Sequence, residues 1–171
     1  LDMLIIALAW PAHALAAIDW HTSIFWAGAL TPLLLHIVFA LTLGWMIKPL
    51  FPKETLVLII LYAAIQSVVL AYNLAGRPDH QTLLMIAGVG LMGLCIRAVD
   101  QALSEAKANR LALAAGVVAG FGLWISSEFE LTFVFIIAPL ALFWLIKGEA
   151  RALKTLAVMS VPLVATVFLA V

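Results

Sequence analysis

"LALAAGVVAGFGLWISSEFELTFVFIIAPLALFWLI", residues 111–146, sets two long apolar runs either side of a short polar stretch, Ser126, Ser127, Glu128 and Glu130, interrupted by Phe129. An α-helix rises ~1.5 Å per residue, so about 20 mainly apolar residues cross the ~30 Å hydrocarbon core of a bilayer. Leu111–Ser127 and Leu131–Ile146 therefore read as a pair of spanning helices joined by a tight turn. Backbone groups in lipid have no water to bond, which favours helices over any open sheet.

The rest of the chain repeats that pattern. Of 171 residues, 66% are hydrophobic and only 11% charged, with a mean hydropathy of +1.20. A soluble domain has roughly 45–50% apolar and about 25% charged residues. The expected fold class is an all-α, polytopic transmembrane helical bundle forming one domain over residues 1–171. Further spans are expected at Thr22–Ile47, Glu54–Leu74, Gln81–Val99 and Thr155–Val171, which makes six in all. Residues 1–17 are short for a span and contain Pro11 and His13, so an interfacial or short helix is expected there. Membrane lipids are the first partners implied, and a formal net charge of zero argues against nucleic acid. One cysteine, Cys95, lies in an apolar run and rules out an internal disulfide.

Lysine and arginine collect on the cytoplasmic side of membrane proteins. Lys48, Lys53, Arg97, Lys107, Arg110, Lys147, Arg151 and Lys154 are eight of the nine basic residues, and all fall in alternate connections. The remaining connections hold only Arg77. Residues 18–21, 75–80 and 128–130 are thus expected on the outer face, which is periplasmic if the membrane is a bacterial inner membrane. Asp19, His21, Asp79, His80, Glu128 and Glu130 lie on that side, whereas the acidic residues of the basic side sit close to lysine or arginine.

Two readings fit Arg77, Asp79 and His80. In the first, Asp79 caps the helix that follows the turn at Gly76 and Pro78, and Arg77 snorkels to lipid headgroups. In the second, Asp79 and His80 ligate a divalent cation, Mn²⁺ or Mg²⁺, and Arg77 holds a substrate phosphate. Glu128 and Glu130 form either a solvated turn or a site for a metal or an acceptor hydroxyl. Asp19 and His21 are explained by the interface, and His36 by packing within its helix. Ser126, His80 and Asp79 lack the G-x-S-x-G elbow of a serine hydrolase. Glycines at 88, 90 and 93 and the spaced set Ala112, Gly116 and Gly120 suggest that these two helices approach closely, and the Gly116–Gly120 face is a candidate contact for another membrane subunit.

The stretch "GRPDHQTL", residues 76–83, resembles bacterial members of the GT-C superfamily. These are polytopic glycosyltransferases that include the oligosaccharyltransferase catalytic subunit and the protein O-mannosyltransferases. Many carry a G-R-x-D-H-H-x-x-Q-like sequence after a long apolar helix. Gly76, Arg77, Asp79 and His80 match it, and Gln81 stands where the second histidine is expected. "RLALAAGVVAGFGLWISSEFEL" is similar to the small-residue helix of such proteins that ends near a serine and a glutamate. "LDMLIIALAWPAHAL" looks like the tail of their large first outer loop, with Asp2 as the loop-end aspartate. The resemblance implies transfer of a sugar from a polyprenyl-phosphate-linked donor at the outer face, with a divalent cation at Asp79 and His80, phosphate contact by Arg77, and Glu128 near the acceptor. It places the catalytic base before Leu1, so the chain is expected to be a piece of a longer enzyme. A non-catalytic subunit of a larger membrane complex and a transporter of lipid-linked substrates are the alternative functions.

Overall fold

The structure, a computed structural model, describes residues 1–74 and 79–169, the Val68 side chain excepted. Eight helices occupy these residues, with no strand among them: α1 (Asp2–Ala16), α2 (Trp20–Ile47), α3 (Lys53–Ile65), α4 (Ser67–Tyr72), α5 (Gln81–Ala98), α6 (Glu105–Ile125), α7 (Phe129–Lys147) and α8 (Ala150–Leu169). Five of them, α2, α5, α6, α7 and α8, are long and apolar enough to cross a membrane. The all-α bundle expected from the sequence is the observed fold.

The sixth expected span is broken. At Gln66 the backbone leaves the helical region, with φ −59° and ψ 126°, and divides the run into α3 and α4. The pair still carries the chain across the bundle, because α2 and α5 run parallel. Arg97 near the end of α5 donates to the carbonyl of Trp45 near the end of α2, and its guanidinium lies 4.0 Å from the Trp45 ring centre. Residues 53–72 must therefore return the chain to the opposite end, and at ~1.5 Å per residue they cover about 30 Å.

Every basic connection lies at the end where α2, α5 and α7 finish. There Arg151 donates to the carbonyls of Asp100 and Leu103, Lys154 pairs with Glu105, and Gln101 donates to Glu149 at 2.7 Å. These contacts lock the α5–α6 elbow onto the start of α8. Tryptophans mark both borders: Trp20 and Trp124 near the acidic end, Trp45 and Trp144 near the basic end, as expected for rings that favour the membrane–water interface.

The core joins Leu84, Ala87, Leu91 and Cys95 of α5 to Ala115 and Ala119 of α6, Phe129 and Leu140 of α7, and Met159 of α8. Small residues decide which helices come closest: α5 and α6 pack closely as expected, but their glycines face other neighbours. Gly116 and Gly120 face α8: a Cβ on Gly116 would lie 2.5 Å from Pro162 Cγ and against the Met159 carbonyl, and one on Gly120 would lie 2.6 Å from Thr166 Cβ. The α6–α8 pairing is the most extensive in the bundle. Gly88 faces Thr132 of α7, while Gly90 and Gly93 face Thr42, Trp45 and Met46 of α2. The face proposed for an outside subunit is covered by the chain's own α8.

Helix α1 turns back at Ala17, which takes a left-handed conformation (φ 53°), and packs on the first third of α2, with Ile5 beside Gly28. His13 Nδ1 lies 2.8 Å from the Ile18 carbonyl oxygen and its ring meets Trp20 edge to face, so both polar and aromatic contacts close the turn.

Candidate functional site

The acidic end is assembled by three local devices. The first is the start of α5. Asp79 Oδ1 accepts from the Gln81 backbone N–H at 3.0 Å, satisfying one of the donors a helix start leaves free. The same oxygen lies 3.4 Å from His80 Nδ1. Asp79 thus serves α5 from one residue before the N-cap position, which His80 holds, and lies beside the His80 ring in the same turn.

The second device ties the end of α4 to the start of α5. Asn73 and Thr82 are buried, and Thr82 Oγ1 donates to Asn73 Oδ1 at 3.2 Å, while Asn73 Nδ2 donates to the Val69 carbonyl at 2.7 Å. A buried amide without partners costs roughly 1–3 kcal/mol, and these bonds remove that cost while tying α4 to α5. Arg77 lies outside the described residues.

The third device is the α6–α7 turn. Phe129 is fully buried and wedges its ring against Gly122, where a Cβ would lie 2.5 Å from Cδ1 and 2.7 Å from Cζ. Ser126 Oγ accepts from the Glu128 N–H at 3.2 Å, and the Phe129 and Glu130 N–H groups bond back to the carbonyls of Ser126 and Ser127. With its turn so held, Glu128 reaches across to α5: Gln81 Nε2 donates to Glu128 Oε2 at 2.7 Å. The Asp79–His80–Gln81 turn and the Glu128 turn, 47 residues apart in sequence, are therefore in direct contact.

Asp79, His80 and Glu128 are brought to one end of the bundle, as the charge pattern suggested. Among the described residues they do not form a cluster of three or more His, Cys, Asp or Glu groups able to hold a metal ion. Asp79 and His80 supply two ligands at most. Sequence reasoning missed Gln81, Asn73 and Thr82. Gln81 stands where the family pattern has a histidine, yet a long amide at a helix start next to an acidic turn is a bridging group by chemistry. Ser126 is engaged in its own turn, which leaves the hydrolase arrangement without support.

Asp19, on the same side, caps α2 by accepting from Thr22 N–H at 3.0 Å, and hydrogen bonding from the Thr22 side chain and then from its backbone N–H holds the carboxyl below the ordinary value of 3.8. His36 differs from the packed, hydrogen-bonded residue expected, since its Nδ1 is buried without a partner among the described residues.

Beneath the Gln81–Glu128 bond opens a cavity of about 590 Å³ between α2, α5 and α7, walled by Phe39, Leu84, Met85, Val89, Met92 and Phe135. Its walls are hydrocarbon apart from Gln81, Glu128 and Thr132. It can receive an apolar chain from the lipid and place whatever that chain carries beside the polar end. Comparison with protein-family models, curated proteins and solved structures finds no match for this chain.

Proposed function

We propose that this bundle is the lipid-donor-binding part of a membrane glycosyltransferase of the GT-C kind, acting on a sugar carried by a polyprenyl phosphate. The observation that carries the reading is the apolar cavity that ends at the Gln81–Glu128 hydrogen bond. A polyprenyl tail is recognised by hydrocarbon walls, and its phosphate-linked sugar by polar groups at the membrane border. Asp79 and His80 lie in the turn that leads into α5 at Gln81, and Arg77 is assigned to the phosphate as a guanidinium suited to paired oxygens. Glu128, held by Gln81, is assigned to orienting the acceptor hydroxyl.

A divalent cation, Mn²⁺ or Mg²⁺, belongs to this reading with Asp79 and His80 as its protein ligands and the donor phosphate completing the set. When bound it neutralises charge on the leaving phosphate. By the positive-inside bias the site end faces the periplasm of a bacterial inner membrane.

The test is photolabelling with a diazirine-bearing polyprenyl phosphate in nanodiscs, with labelled residues mapped by mass spectrometry. Labels are expected on Met85, Val89 and Met92 and are expected to be lost in Val89→Trp, which fills the cavity. Labels spread evenly over α3, α5 and α8, unaffected by Val89→Trp, would remove the reading. A non-catalytic subunit is the second reading, and α7 favours it: only Phe129 and Leu140 of that helix are buried, which leaves a broad apolar face for another chain.

A further inference from the structure

The cavity under Gln81 meets a second one. Met92, Phe135 and Ile136 line both, and the second continues toward the basic end with Cys95, Val99 and Phe143 among its walls, enclosing about 540 Å³ between α5 and α7. From Met92 to Val99 the helix rises about 10 Å, so this cavity lies within the half of the bundle nearest the basic end. No charged side chain lines it.

Charge stands at its rim. Lys147 follows Phe143 by four residues, which places it one turn further on the same face of α7, and it is exposed. Among the described residues it makes no ion pair, whereas Lys154 is taken by Glu105 and Arg151 by the carbonyls of Asp100 and Leu103. The carboxylates nearby are also occupied: Asp100 accepts from Ala102 N–H at 2.9 Å and Glu149 from Gln101 at 2.7 Å. An unpaired ammonium above a hydrocarbon slot complements a molecule with an apolar chain and an anionic head. Basic positions at helix ends near a membrane surface attract anionic lipid.

From these observations we infer that the basic-end cavity is a binding site for an anionic phospholipid of that leaflet, with one acyl chain between α5 and α7 and its phosphate at Lys147. The site is separate from the donor lipid proposed above, whose head sits at the opposite end. It does not depend on the glycosyltransferase reading.

The experiment reconstitutes the chain in nanodiscs of phosphatidylcholine containing a minor share of phosphatidylglycerol, extracts it gently, and quantifies the retained lipid by mass spectrometry. Wild type is expected to retain phosphatidylglycerol several-fold above its share. Lys147→Gln is expected to abolish that enrichment, Ile96→Trp to remove the retained lipid by filling the cavity, and Lys107→Gln, on α6, to change nothing. Retention in proportion to the bulk, or an equal loss in Lys147→Gln and Lys107→Gln, would overturn the site in favour of diffuse surface charge. Added polyprenyl phosphate is expected to leave the retained phosphatidylglycerol in place, and its displacement would assign the cavity to the donor tail instead.

Discussion

Replacing Gly122 with alanine tests how the site end is built. The added methyl would stand 2.5–2.7 Å from two carbons of the Phe129 ring, where ordinary contact begins near 3.4 Å. Close to 1 Å of movement is required, and the ring is fully buried with no free side to move into. Overpacking of this kind costs about 1–3 kcal/mol, and the better helix propensity of alanine returns up to about 1 kcal/mol. A net loss of about 1–2 kcal/mol follows. The displaced Phe129 also drags Glu128, so the Gln81–Glu128 bond should weaken with it. Thermal unfolding in micelles measures the first effect, and a double-mutant cycle on Gln81→Ala and Glu128→Ala, run with and without Gly122→Ala, measures the second. Phe129→Leu in the Gly122→Ala background should restore part of the stability. An alanine variant as stable as wild type, with undiminished coupling between Gln81 and Glu128, would refute the wedge.

Other outcomes follow from the same contacts. Gly116→Ala should destabilise more than Gly122→Ala, because its methyl meets the Met159 carbonyl, and α6 and α8 must separate to admit it; the same unfolding assay ranks the two. Arg97→Gln should lose about 1–2 kcal/mol through the Trp45 ring and carbonyl contacts, with the loss reduced in a Trp45→Leu background. Glu128→Gln should leave unfolding nearly unchanged, since the amide oxygen can still accept from Gln81 Nε2, but should alter photolabelling near Met85. Asp19 contributes to the α1–α2 turn only when ionised: its carboxyl is depressed in the fold, so its contribution is present above the ordinary 3.8 and disappears as pH falls through the lowered value. Comparing wild type with Asp19→Asn across that interval isolates it, and identical pH profiles would contradict the cap.

Much of this architecture was written in the residues. The apolar runs located the helices because lipid leaves the backbone no other partner. The basic connections sorted the two ends because each crossing reverses direction. What the sequence could not show was pairing in space. Glycines 88, 90 and 93 were spaced to meet small residues, yet the helices they meet are α2 and α7, a choice set by where Trp45, Met46 and Thr132 fall. The break at Gln66 has no proline or glycine to announce it, and no local signal predicts it. Asp79, His80 and Glu128 stand out by their chemistry, and the structure shows that they share one end of the bundle. The bond that joins them runs through Gln81, whose importance comes from a neighbour 47 residues away.

That break at Gln66 also divides the crossing mechanically. Below it, α3 packs on α2 and buries none of its residues, so it rides against lipid. Above it, α4 is fastened to α5 by Asn73 and Thr82. An unbroken helix would transmit any tilt of α3, driven by membrane thickness or lateral pressure, straight into the turn that carries Asp79 and His80. With helical geometry interrupted at Gln66, α3 and α4 do not form one rigid rod, and α4 keeps its own fastening to α5 through Asn73 and Thr82.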